Sequence, residues 1–108
     1  MSSLSTHVLD TVSGRPAAGM RIMLWSADSL LAEGETDGDG RLRDFPALAA
    51  GAYTLAFHVA DYFREQGADL PDPPFLDVVP IHFGVVAEGH YHVPLLASPW
   101  AYSTYRGS

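Results

Sequence analysis

Turn-forming residues recur so often in this chain that no long helix fits between them. Ten glycines and eight prolines are spread over 108 residues. With Asp and Ser they gather at residues 11–19, 26–29, 37–40, 69–74, 88–89 and 98–99, leaving runs the length of strands. Alternation is clearest at residues 52–59, where Tyr53, Leu55, Phe57 and Val59 share one face and Thr54, Ala56 and His58 the other. Within residues 75–87, Val79, Ile81, Phe83 and Val85 alternate with Pro80, His82, Gly84 and Val86, and Pro80 confines part of that strand to an edge or a bulge. Further strands are expected at residues 4–10, 20–25, 30–36, 90–97 and 101–106. Residues 60–67 are amphipathic and end in Gly67, which suits a two-turn helix with a glycine cap. Pro46 leaves room for at most one apolar turn at residues 47–50. Many short strands and one brief helix predict an antiparallel β-sandwich, in one domain over residues 1–108.

Composition narrows the function classes. Thirteen acidic against six basic residues give a formal net charge of −7, which argues against nucleic acid or anionic lipid as partners while leaving room for a local basic site. The chain has no cysteine, so a disulfide framework and a thiol nucleophile are excluded. No apolar run is long enough to span a membrane as a helix, and residues 1–7 lack the regions of a signal peptide. A cytoplasmic location is the default expectation.

His90 and His92 sit two apart on a predicted strand and leave the same face. Such a pair can chelate zinc, with His7 as a third ligand, or it can be two polar residues on a solvated face. A third use is proton transfer. A neutral imidazole can take a proton from water and return it to a leaving nitrogen. An arginine can grip an anionic ring and stabilise negative charge on a carbonyl oxygen. Hydrolysis of a cyclic amide needs both jobs, and His7, Arg41, His92 and Ser108 are the candidates. Spacing alone does not assemble them: Arg41 also reads as a solvated charge after a turn, Ser108 as a chain end and His7 as a satisfied strand histidine.

Asp37-Gly38-Asp39-Gly40 reads as a hairpin turn that delivers Arg41. As a calcium loop starting at Glu35 it would put Pro46 where the bidentate glutamate belongs. A phosphate-binding glycine loop and a Gly-x-Ser-x-Gly elbow are both missing. The run from His90 to Leu96, followed by Ser98 to Ser108, is expected to form part of a site.

Taken together, these residues resemble a known family. Leu4-Ser5-Thr6-His7-Val8-Leu9-Asp10-Thr11 with Gly14-Arg15-Pro16-Ala17, the Asp39-Gly40-Arg41 turn, His90-Tyr91-His92-Val93-Pro94-Leu95-Leu96 and Tyr105-Arg106-Gly107-Ser108 resemble the 5-hydroxyisourate hydrolases, the transthyretin-related proteins. Phe57 to Phe63 fits that family's strand-to-helix junction. The resemblance implies a transthyretin-like antiparallel sandwich of two four-stranded sheets with one short helix. It implies a homotetramer whose sites lie in a channel between dimers. It also implies hydrolytic opening of 5-hydroxyisourate to 2-oxo-4-hydroxy-4-carboxy-5-ureidoimidazoline in urate catabolism, with no cofactor or metal. By that resemblance His7 and His92 position and deprotonate water, Arg41 binds the ring and stabilises its oxyanion, and Ser108, with Tyr105 and Arg106, orients substrate. His90 belongs to the motif without a role of its own. Trp100-Ala101 stands where Phe-Gly is common, and Leu76-Asp77 where an aromatic-Pro-Glu run is expected. The alternative is a non-catalytic small-ligand binding module like the transthyretin carriers. The resemblance discriminates here too, because carriers lack the two histidines, the turn arginine and the Tyr-Arg-Gly-Ser segment.

Overall fold

In the computed structural model, which describes residues 1–107, the alternating segments form nine strands and one helix among the described residues. They are β1 (Ser3–Asp10), β2 (Arg15–Pro16), β3 (Arg21–Ser26), β4 (Ser29–Glu35), β5 (Arg41–Leu42), β6 (Gly51–His58), α1 (Val59–Glu65), β7 (Val78–Val85), β8 (His90–Ala97) and β9 (Tyr102–Thr104). One sheet runs β4-β3-β6-β7, and the other runs β2-β1-β8-β9 with β5 also paired to β1. The sandwich expected from the sequence is therefore present, but with one five-stranded sheet in place of a second four-stranded one. The two-residue strands β2 and β5 are too short to show any alternation, so nothing in the sequence announces them. The sheets are also not wholly antiparallel: β1 and β8 run parallel. Parallel neighbours need a long connection, and here that connection includes the whole four-stranded sheet.

Alternation decides which side chains fill the space between the sheets. Leu4, Thr6, Val8 and Asp10 of β1 are buried, as are Tyr91, Val93, Leu95 and Ala97 of β8. Ile22, Leu24, Leu55, Phe57, Val79, Ile81 and Val85 of the facing sheet pack against them. Each such aliphatic or aromatic side chain contributes roughly 1.5–3 kcal/mol on burial. The polar members are paired: Thr6 Oγ1 donates to the Val93 carbonyl at 2.6 Å. Asp10 Oδ1 accepts from the Val12 and Ser13 N–H groups at 2.9 and 3.1 Å, and its Oδ2 accepts from the Tyr62 hydroxyl at 2.9 Å. That last bond ties α1 to the turn after β1. Burial and the Asp10 carboxylate push the Tyr62 phenol up to about 12.

Several expected boundaries shift by one to three residues. The helix starts at Val59 and ends at Glu65, with Gly67 following at φ +89°. Leu48 makes no helical turn; it bridges Ser2, with mutual N–H to carbonyl bonds of 2.7 and 2.8 Å. The strand expected from residue 75 begins at Val78, so Leu76 and Asp77 precede it, and the Asp77 carbonyl accepts the Ala60 N–H of α1 at 3.2 Å. Pro80 lies in β7, at the edge of its sheet, as its missing N–H requires. Among the described residues no helix is long and apolar enough to cross a membrane.

The Asp37–Gly40 turn is not a hairpin, because β4 and β5 belong to different sheets and the turn carries the chain across the sandwich. Asp37 organises it by accepting the Asp39 and Arg41 N–H groups at 2.9 and 3.0 Å. Gly40 has φ +74°, and a Cβ there would lie 2.6 Å from the Val8 carbonyl oxygen, which no side chain tolerates. We therefore expect Gly40→Ala to destabilise the fold by roughly 1–3 kcal/mol or more, from backbone strain plus the clash. Urea unfolding measures this, and an unchanged midpoint would contradict the account of the turn.

Candidate active site

The face of β1 and β8 turned away from the core carries the chemistry. The parallel register pairs Ser3 with His90, Ser5 with His92 and His7 with Pro94. On the other side of β1, β5 pairs Arg41 with His7. Strand alternation then puts Ser3, Ser5, His7, Arg41, His90 and His92 on one side of the five-stranded sheet. An open cavity of about 380 Å³ lies over them, lined by Ser3, Leu4, Ser5, Arg41, Arg43, His90 and His92. No carboxylate is among these lining residues.

Hydrogen bonds fix the imidazoles. Ser5 Oγ lies 2.7 Å from His92 Nδ1 and 2.9 Å from His90 Nε2, and Ser3 Oγ lies 2.7 Å from His90 Nδ1. The two rings stack with centroids 6.4 Å apart and planes at 18°. From the opposite side Gly107 closes on His92. Its N–H donates to the His92 carbonyl at 2.8 Å, and a Cβ at Gly107 would come within 2.5 Å of His92 Cδ2. Burial holds the His92 pKa below the ordinary imidazole value, and the positive charges available to Arg41, His90 and His7 push it the same way. At neutral pH His92 is thus an uncharged ring beside a permanent cation, which suits it to accept a proton.

The structure brings His92 and Arg41 to one cavity. His7 does not line that cavity; it sits half-buried opposite Arg41, close enough for its charge to act on His92. Tyr105 lies elsewhere, exposed on a separate cavity of about 350 Å³ whose lining includes Ile81, Phe83, Tyr91, Val93 and Arg106. The Arg106 guanidinium stacks 4.3 Å from the centre of the Tyr91 ring. Ser108 lies outside the described residues. The arrangement of His7, His90 and His92 as zinc ligands is not formed: among the described residues no three His, Cys, Asp or Glu side chains are grouped to hold a metal. Sequence reasoning missed Ser3, Ser5 and Arg43. Ser5 shares a strand face with His7, which was visible; its pairing with His92 depends on the parallel register, which was not.

Comparison with known proteins places the chain in a family. The model of the HIUase/Transthyretin family matches residues 4–107. The chain is 52% identical to 5-hydroxyisourate hydrolase 2 of Rhizobium meliloti (strain 1021), covering 97% of this chain and 95% of that one. Its fold is similar to that of Klebsiella pneumoniae 5-hydroxyisourate hydrolase, with a TM-score of 0.90, 35% identity and full coverage of both chains (100% each). It is also similar to sea bream transthyretin in complex with thyroxine, with a TM-score of 0.85, 30% identity and coverage of 97% and 94%.

The electrostatics make a direct prediction. In an NMR titration His92 should lose its proton below the ordinary imidazole range, and Arg41→Met should move the midpoint upward by removing a neighbouring cation. A His92 midpoint that ignores Arg41 would contradict the placement of the guanidinium.

Proposed function

We propose, for a chain that belongs to the HIUase/Transthyretin family and hydrolyses 5-hydroxyisourate, that water activated between His92 and His7 opens the ring while Arg41 holds it. The observation that carries this reading is the pairing, in one carboxylate-free cavity, of a neutral imidazole with a guanidinium. His92 takes a proton as the water oxygen bonds to the ring carbonyl carbon. The carbonyl oxygen becomes an oxyanion, and the Arg41 charge stabilises it. Collapse breaks the amide C–N bond, the departing nitrogen receives the proton from His92, and the product is a ring-opened carboxylic acid. His7, opposite Arg41, holds the water or the ring from the other side. We assign Ser108 and Tyr105 to orienting substrate, on their match to the family's Tyr-Arg-Gly-Ser segment.

The acidic chain presents a cationic cavity. Against a net charge of −7, Arg41 and Arg43 stand at the site with no lining carboxylate, so the local field favours an anionic, urate-like ring. We infer a homotetramer with sites between dimers. The support is the open cavity, the eight-residue edge strand β7 of one sheet, the short edge strand β9 of the other, and exposed Phe75, Val86, Trp100 and Tyr105. A cytoplasmic location and a single folding unit over residues 1–108 belong to the same reading.

The test is the absorbance decay of freshly generated 5-hydroxyisourate with catalytic amounts of protein. The wild type should accelerate it, and His92→Ala should lose about 10²–10⁴-fold in kcat, with the same mass by light scattering. Activity near wild type in that variant would remove His92 from the mechanism. Mass at four times that of one chain would support the tetramer, and mass at one chain would contradict it.

A further inference from the structure

The Ser5 hydroxyl has one proton and two imidazole neighbours. It lies 2.7 Å from His92 Nδ1 and 2.9 Å from His90 Nε2, in a residue only 7% exposed. One proton satisfies one nitrogen, so the other nitrogen must donate to Ser5 Oγ. Two arrangements meet that condition. In one, His92 Nδ1–H donates to Ser5, Ser5 O–H donates to His90 Nε2, and His90 Nδ1–H donates to Ser3 Oγ. In the other every bond reverses. The two differ at the far side of His92: the first leaves Nε2 with a free lone pair, and the second gives it a hydrogen. Only the first can accept a proton from water.

We propose that Ser5 and His90 are positioning residues for the hydrolysis, and that the hydrogen-bonded run Ser3–His90–Ser5–His92 holds His92 as its Nδ1–H tautomer with Nε2 bare. This rests on His92 being the proton acceptor. The ring is also held against flipping. A 180° flip would exchange Nδ1 with Cδ2, breaking the bond to Ser5 and turning a polar nitrogen toward the Gly107 backbone that now packs on Cδ2. Protons balance simply. One moves from water to Nε2 and later from Nε2 to the departing nitrogen, and Ser5 and His90 exchange none. While His92 is charged, its Nδ1–H keeps the Ser5 oxygen as acceptor, because His90 holds the Ser5 proton on the other side. His90, which touches no reacting atom in this scheme, thereby acquires a function: it sets the direction of the Ser5 hydroxyl.

The direct test is ¹⁵N NMR of the His92 ring in the full chain at neutral pH, without substrate, joined to steady-state kinetics. Wild type should show Nδ1 protonated and Nε2 unprotonated. In Ser5→Ala that preference should vanish and kcat should fall about 10–100-fold, the scale of impaired proton transfer, with KM nearly unchanged. His90→Leu alters an exposed side chain, so folding is not at risk, and it should move tautomer and kcat in the same direction. His90→Gln should restore both, because its amide oxygen accepts the Ser5 proton. A wild-type His92 protonated at Nε2, or an unchanged tautomer in both Ser5→Ala and His90→Leu, would overturn the proposal. Loss of the tautomer with kcat unchanged would overturn its premise instead, that His92 is the proton acceptor.

Discussion

The parallel pairing of β1 with β8 is the constraint from which the rest follows. Eight consecutive Cα partners, from Ser3 with His90 to Asp10 with Ala97, fix these two strands side by side. Side chains alternate faces, so a slip of one residue in either strand would exchange the core set for the site set. Leu4, Val8, Val93 and Leu95 are buried in the observed register, and their burial enforces it. The same hydrophobic energy that closes the sandwich therefore aligns Ser5 with His92. The core thereby sets the site's geometry, although of its side chains only Leu4 borders the cavity.

The other groups are added to that frame by short connections. The Asp37–Gly40 turn lifts the chain from β4 to the opposite sheet and sets Arg41 beside His7. It can do so because Gly40 takes a positive φ against the Val8 carbonyl. From the other end of the chain, Gly107 lies on His92 at a distance that any side chain would forbid. Two glycines far apart in sequence thus border one histidine and one arginine, and both are required by close approach. The electrostatic outcome is a half-buried neutral imidazole next to guanidinium groups, within a protein whose overall charge is negative.

Much of this was legible in the sequence, and the gaps have physical causes. Period-two alternation exposed β6 and β7, because their core-facing positions are apolar. Gly67 marked the end of α1. The His-x-His spacing by itself places two imidazoles on one strand face. Strands of two residues have no period to read, so β2 and β5 were invisible. Alternation also says nothing about which strand lies beside which, so the parallel partner of β1 could not be inferred, and Ser5 went unnoticed beside the more conspicuous His7. Arg41, His7 and His92 were candidates by chemistry and by resemblance; that Tyr105 faces a different cavity from His92 depends on how the last strand ends, which no local pattern encodes.

The central claim is that the groups on this sheet face act on one substrate as a unit. A double-mutant cycle on kcat between His7→Ala and His92→Ala tests it most directly, since residues that share one catalytic task are strongly non-additive. The account predicts that the double variant is hardly slower than the slower single variant. Losses that multiply would mean that the two histidines work independently, and would contradict a water held between them.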